Sequence, residues 1–102
     1  MIFFEWDPVK ARTNQRKHRV SFDIAQHVFD DPDALADHDL TDDGEDRWRT
    51  LGSVGGVLLL LVAHTVRFEN EEDQVIRIIS ARRADRKEKQ HYEKQRQENR
   101  AR

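Results

Sequence analysis

The fold is decided by a short apolar segment, Gly-Gly-Val-Leu-Leu-Leu-Leu-Val-Ala, at residues 55–63. Its seven residues from Val57 to Ala63 do not alternate with polar ones, which is typical of a central strand covered on both faces. This strand is predicted to run from Val57 to Thr65. The Gly55-Gly56 pair favours a tight hairpin, so the strand predicted at residues 46–54 should be its antiparallel neighbour.

Before this hairpin the sequence predicts a strand and two helices. An aromatic strand at residues 3–6 comes first. In the pair Asp7-Pro8, the aspartate is a suitable N-cap and the proline suits the first helical position, so a helix should run to about His18. Ser21 caps a second helix, which Asp31-Pro32 ends.

The rest of the chain completes a sheet and adds a third helix. A weak strand at residues 34–39 and a turn at 41–44 precede the hairpin, and a polar loop at 67–73 leads to a last strand at 74–81. Residues 85–88, Asp-Arg-Lys-Glu, match a capping box that starts the C-terminal helix. The prediction is a single α+β domain over residues 1–102, an antiparallel sheet of four to five strands with two N-terminal helices and one C-terminal helix, whose last roughly eight residues fray.

The amino-acid composition limits the classes of protein to which the chain can belong. Hydrophobic residues make up 36% of the 102 residues and charged residues 37%, which leaves a thin core. The chain has no cysteine, which fits a reducing cytoplasm. No secretion signal is recognisable at the N-terminus, and the apolar segment is far shorter than the roughly 20 residues of a membrane helix. A cytoplasmic protein without a membrane span is therefore expected.

The net charge of −2 hides a strong asymmetry. Residues 1–20 carry five Lys or Arg against two acids, and residues 82–102 carry nine against four. Residues 30–46 hold nine acids and no Lys or Arg. A polyanion should therefore meet the two ends of the chain, with the acidic middle turned elsewhere or facing a cationic partner. Solvated surface charge is the alternative for each block.

The segment at residues 77–84, Arg-Ile-Ile-Ser-Ala-Arg-Arg-Ala, places clustered guanidinium groups at the end of a β-branched strand. Arginine suits phosphate binding because its planar fork offers several donors and stays charged. The alternative is a strand end whose charges keep an edge soluble.

Ordered landmarks along the chain resemble the BrnT family of toxins, over about residues 3–93. They are Phe4-Glu5-Trp6-Asp7, Lys10, Asn14-Gln15-Arg16-Lys17-His18, Val20-Ser21-Phe22, Asp31-Pro32, Gly44-Glu45-Asp46-Arg47-Trp48, Leu51-Gly52, His64-Thr65, residues 77–84, Glu88 and Tyr92. The resemblance implies a small ribonuclease with a fold similar to the RelE-type toxins. It also implies a cognate antitoxin with a ribbon-helix-helix DNA-binding portion, and a complex of the two that binds operator DNA. Arg19 departs from the family, which commonly has glycine there, at a left-handed helix end.

A metal-independent ribonuclease needs a base near the ribose 2′-hydroxyl, cations at the phosphate and an acid for the leaving 5′-oxygen. The predicted catalytic residues are His64, Arg77, Arg82 and Glu45. Arg77 and Arg82 are the phosphate-binding candidates, and a buried ion pair with Glu45 or Glu88 is their alternative. His64 is the acid or base candidate, and a structural strand histidine is its alternative.

The predicted RNA-binding residues are Lys17, His18, Arg67, Arg83 and Tyr92. Lys17 and His18 supply a second cation or proton donor, or they only complete the helix dipole. Tyr92 closes the groove or anchors the last helix. The histidines show no paired metal spacing, so neither a metal nor another cofactor is predicted.

The predicted reaction is attack of the ribose 2′-oxygen on the neighbouring phosphate, which leaves a cyclic phosphate and a free 5′-hydroxyl. The competing class is a non-catalytic module whose cations bind an acidic antitoxin surface or operator DNA. Convergence of Arg77, Arg82 and His64 on one phosphate-sized site would favour the enzyme, whereas dispersed side chains would favour binding alone.

Overall fold

A computed structural model describes residues 1–40 and 46–101 of the chain. Its strands are β1 (Ile2–Glu5), β2 (Leu35–Leu40), β3 (Asp46–Val54), β4 (Leu58–Phe68) and β5 (Gln74–Arg83). Its helices are α1 (Pro8–His18), α2 (Phe22–Ala25) and α3 (Arg86–Arg100), with a 3-10 turn at Gln26–Asp30 after α2. The α+β class is therefore confirmed, and the turn predicted at residues 41–44 lies outside the described residues.

The strands form one sheet in the order β1-β5-β4-β3-β2, with β4 at the centre. The hairpin of β3 and β4 is antiparallel as the Gly-Gly pair predicts, with Val54 opposite Leu58. The prediction of an antiparallel sheet is wrong at one edge, because β1 pairs with β5 in parallel. The first and last strands of the chain are neighbours, and no local sequence signal specifies that pairing.

The helices begin and end at residues that cap their backbone groups. The side chain of Asp7 accepts a hydrogen bond from the backbone N–H of Val9 at 2.8 Å. Arg19 ends α1 in the left-handed conformation, with φ of 60°. Asp85 and Glu88 form the predicted capping box at the start of α3.

The sheet is covered on both faces near its centre. On one face, here called the helix face, α1, α2 and the 3-10 turn bury a cluster that includes Phe22, Val28, Leu60 and Ile78. On the other, the α3 face, Tyr92 of α3 packs with Leu51 and the neighbouring leucines of β4. Burial on both sides explains why the apolar segment does not alternate.

The structure extends β4 three residues beyond the prediction, to Phe68. His64 therefore lies inside the strand and not at its end. Arg67 belongs to the same strand instead of the polar loop that was predicted to hold it.

Candidate functional site

The arginines of β5 lie on the α3 face because of an irregularity in the strand. Arg77 lies opposite Thr65, and Arg82 lies opposite Leu61. Five positions separate the two arginines, which in a regular strand would place them on opposite faces. Ala63 of β4 pairs with Ser80, but the next residue, His64, pairs with Ile78, so the register shifts by one residue at Ile79. This β-bulge at Ile79 adds one residue and brings both guanidinium groups to the same face.

Arg77 lies in a charged group at the β1 edge of this face. Glu5 is its neighbour on β1, and a guanidinium nitrogen of Arg77 lies 3.5 Å from the Glu5 carboxylate. Arg67 donates to the same carboxylate at 2.6 Å and to Glu69 at 2.7 Å. The hydrogen bond from Arg67 holds the pKa of Glu5 below its ordinary value. Arg77 is nevertheless 45% exposed, so solvent and ligands reach it.

Arg82 is bound to α3 through a bidentate ion pair. Its two terminal nitrogens donate to the two carboxylate oxygens of Glu88 at 2.8 and 2.9 Å, and one of them also donates to the Arg83 carbonyl. The hydrogen bond from Arg82 lowers the pKa of Glu88, and the same bond raises the pKa of Arg82. These contacts use three of the five guanidinium N–H groups. Two donors remain on a side chain that is 40% exposed.

The two arginines do not meet at one phosphate. At about 3.3 Å per strand residue, their positions on β5 are about 15 Å apart. Each has its own carboxylate partner, Glu5 for Arg77 and Glu88 for Arg82. The two guanidinium groups therefore belong to separate ion pairs, from which they can contact different parts of one ligand.

His64 lies on the opposite face of the sheet. It is 3% exposed, and its Nε2 is 2.7 Å from the hydroxyl oxygen of Thr50. The ring of Phe29 contacts the imidazole edge to face, with centroids 4.8 Å apart. Burial lowers the pKa of His64, which favours the neutral ring. The expected convergence of His64 with the arginines does not occur.

A buried asparagine, Asn14, joins α1 to the end of β5 that carries Arg82. The amide of Asn14 donates to the Ala81 carbonyl at 2.8 Å and to the Val20 carbonyl at 3.0 Å, and its oxygen accepts from the Ala81 N–H at 3.1 Å. Because β1 pairs only with residues 74–77, this side chain substitutes for a neighbouring strand at Ala81. Lys17 and His18 follow within one turn and so lie near the edge that carries Arg82 and Arg83.

Tyr92 anchors α3 to the loop after the 3-10 turn. It is 5% exposed, and its hydroxyl donates to Asp31 at 2.6 Å. Burial and the bond to Asp31 raise the pKa of Tyr92. Burial acts to raise the pKa of Asp31, but the bonds from Tyr92 and from the backbone N–H of Ser53 and Asp33 outweigh it, and the pKa is lowered. Glu45, the remaining predicted catalytic residue, lies outside the described residues.

The structure adds residues that the sequence analysis did not assign to the site. Asn14 is the first, and the signal for it was an uncharged amide in the middle of a helix rich in basic residues. Arg49 and His91 are the others: they line a small cleft of about 110 Å³ on the α3 face, together with Glu88. Strand alternation from the apolar Leu51 places Arg49 on this face, but nothing local indicates that α3 brings His91 beside it.

Within residues 1–40 and 46–101, no group of three or more His, Asp or Glu side chains is arranged to hold a metal ion. In the same part of the chain, no helix combines the length and the apolar character that crossing a membrane requires.

Comparisons with known proteins identify the family that the chain matches. A family model described as the ribonuclease toxin, BrnT, of a type II toxin-antitoxin system matches residues 6–88. No match was found among curated proteins. Among solved structures, the crystal structure of the Brucella abortus ribonuclease toxin BrnT superposes with a TM-score of 0.58 at 23% identity, over 84% of this chain and 99% of that one. That likeness shows a common fold.

Proposed function

The chain belongs to the BrnT family of ribonuclease toxins of type II toxin-antitoxin systems, and from this premise we propose that it cleaves RNA at the Arg82 edge of β5. Cleavage proceeds by attack of the ribose 2′-oxygen on the adjacent phosphate, without a metal ion. The products are a cyclic phosphate and a free 5′-hydroxyl.

One observation carries this assignment: the buried Asn14 side chain binds both backbone groups of Ala81. This contact supports the proposal because it joins α1, which ends in Lys17 and His18, to the strand that ends in Arg82 and Arg83. Lys17, His18, Arg82 and Arg83 come from two distant segments, and all can face one polyanion. Phosphate contacts of this kind supply most of the affinity for RNA and make it dependent on salt.

The role of each side chain follows from its exposure and from the hydrogen-bond donors that its protein partners leave available. Arg82 binds the scissile phosphate with the two N–H groups that Glu88 leaves available. His18 is half-buried at the end of α1 and transfers a proton, since an imidazole ring can both donate and accept one. His64 then supports the sheet and does not touch RNA. Arg77 and Arg67, about 15 Å further along the α3 face, bind more distant phosphates.

The test is cleavage of single-stranded RNA by the purified protein in excess chelator, with DNA of the same sequence as control. DNA lacks the 2′-hydroxyl nucleophile and should stay intact. Arg82→Ala and His18→Ala should each lower the rate by about 10²–10³, whereas the distant Arg100→Ala should change it less than twofold. Loss of activity in chelator with recovery on adding magnesium would refute the mechanism. Equal rates for all three variants would refute the site.

A second candidate function is favoured by the separation of His64, Arg77 and Arg82. In this alternative the chain is a non-catalytic module whose cations bind the antitoxin or operator DNA. The same assay separates the two, because such a module would bind RNA or DNA in a salt-dependent way and leave the RNA uncut.

The remaining proposals rest on the family resemblance. The fold is RelE-like, and the antitoxin carries a ribbon-helix-helix portion through which the complex binds operator DNA. Toxin and antitoxin meet in the cytoplasm. A gel-shift assay of the co-purified complex on its own promoter tests the DNA-binding part.

A further inference from the structure

A large cleft lies away from the proposed RNA site, between α3, the loop at residues 30–33 and the turn that joins β3 to β4. Its volume is about 540 Å³. Tyr92 and Asp31 both line it, and the hydrogen bond from Tyr92 to Asp31 joins α3 to the loop at residues 30–33. The cleft is therefore a built feature of the fold, and the proposed reaction does not use it.

Part of this cleft is apolar and exposed. Val54, Val57, Leu59 and Pro32 contribute to its lining, and Val57 is 91% exposed at the end of the Gly55-Gly56 turn. A second cleft of about 380 Å³ shares Val57 and Leu59 and continues to Arg83 and Lys89. Both glycines of the turn have positive φ, which fixes the turn that presents Val57 to solvent.

The other part is acidic. Its charged lining consists of four carboxylates and one guanidinium, Asp30, Asp31, Asp33, Glu93 and Arg96. Both carboxylate oxygens of Asp31 already accept hydrogen bonds, from the backbone N–H groups of Asp33 and Ser53 and from the Tyr92 hydroxyl. Asp30 lies 3.0 Å from the His27 imidazole and Glu93 lies 3.7 Å from the Arg96 guanidinium, but their side chains are 78% and 56% exposed, so a ligand can still reach both carboxylates.

We propose that this cleft is the docking site of the antitoxin, which fills it with a basic segment that also carries apolar side chains. Family membership supplies the existence of the partner, and charge complementarity supplies its chemistry. Apolar side chains of the segment cover Val57 and Leu59, while its Lys and Arg residues pair with Asp30 and Glu93. An RNA ligand is repelled by the same carboxylates.

Docking here also explains neutralisation, and this part rests on the proposed function. The apolar strip of Val57 and Leu59 leads from the acidic cleft to Arg83 and Lys89. A segment that covers the strip therefore ends beside Arg83, one of the cations proposed to bind RNA. The antitoxin segment then blocks RNA sterically, while its affinity for the toxin comes from its contacts in the acidic cleft.

The test uses the intact complex, co-expressed with the product of the adjacent gene and captured on a surface through a tag on that product. Dissociation of the toxin is then followed in buffer. Asp30→Lys combined with Glu93→Lys, and separately Val57→Asp, should raise the dissociation rate about tenfold or more. The matched control is Glu71→Lys combined with Glu72→Lys, two exposed acids in the loop before β5, which should change it less than twofold. Wild-type dissociation rates for the cleft variants, or an equal effect of the control, would overturn the proposal.

A second measurement does not depend on variants. Carbodiimide joins a carboxylate directly to a lysine amine that contacts it, so the wild-type complex should yield cross-links from Asp30, Asp33 or Glu93 to lysines of the antitoxin. Cross-links confined to residues 69–73, or cross-links from the cleft to a second copy of this chain, would overturn the proposal. Neither measurement requires RNA cleavage, so a failed ribonuclease assay and a misplaced docking site give different results.

Discussion

Replacement of Asn14 by alanine should destabilise the protein more than any other alanine replacement in α1. The asparagine is 6% exposed and makes three hydrogen bonds, two to Ala81 and one to Val20. Its loss leaves a backbone N–H and two carbonyls without those partners in a buried place. At about 1 kcal/mol each the bonds contribute about 3 kcal/mol, and the better helix propensity of alanine returns about 0.5 kcal/mol.

The net loss of about 2.5 kcal/mol corresponds to a fall in Tm of about 10–20 °C for a domain of this size. Urea denaturation followed by circular dichroism measures it, with the exposed Gln15→Ala as control in the same helix. Asn14→Asp keeps the shape and the acceptor but loses both donors, so it should cost at least as much. A loss below about 1 kcal/mol for Asn14→Ala, or a similar loss for the control, would refute the reasoning.

Three further predictions concern the core. Gly52→Ala should cost about 1–3 kcal/mol of unfolding free energy, because a Cβ there would lie 2.9 Å from the Cβ and the carbonyl oxygen of Val28; unchanged urea denaturation would contradict this. Tyr92→Phe should cost about 1–2 kcal/mol at neutral pH. Since bonding lowers the folded-state pKa of Asp31 below 3.8, the difference from wild type should shrink as the pH falls through that region, and a constant difference would argue against the bond. Burial lowers the pKa of His64 in the folded state below 6.5. The free energy of unfolding of the wild type should therefore fall as the pH drops below 6.5, because the unfolded chain takes up a proton that the folded chain does not. His64→Gln should flatten this dependence, and parallel plots of unfolding free energy against pH for the two proteins would contradict the assignment.

The sequence by itself determined the elements whose signals are local. Asp7-Pro8, Ser21 and the capping box at Asp85 fix three helix starts because a capping side chain binds backbone groups within three residues of itself. The Gly55-Gly56 pair and the apolar run after it gave a hairpin and a central strand by the same kind of short-range constraint. The ordered landmarks were also sufficient to recognise the family.

Only the tertiary structure decided how the charged side chains are grouped. The bulge at Ile79 reverses the alternation of β5, and without it Arg77 and Arg82 would face opposite sides of the sheet. Asn14 reaches Ala81 across 67 positions of sequence, and His64 is buried because Phe29 and Thr50, from two other segments, contact its ring. These features depend on contacts between distant segments, which no pattern of neighbouring residues specifies. For that reason the sequence suggests residue types for the candidate site, whereas which of those side chains lie together can be read only from the tertiary structure.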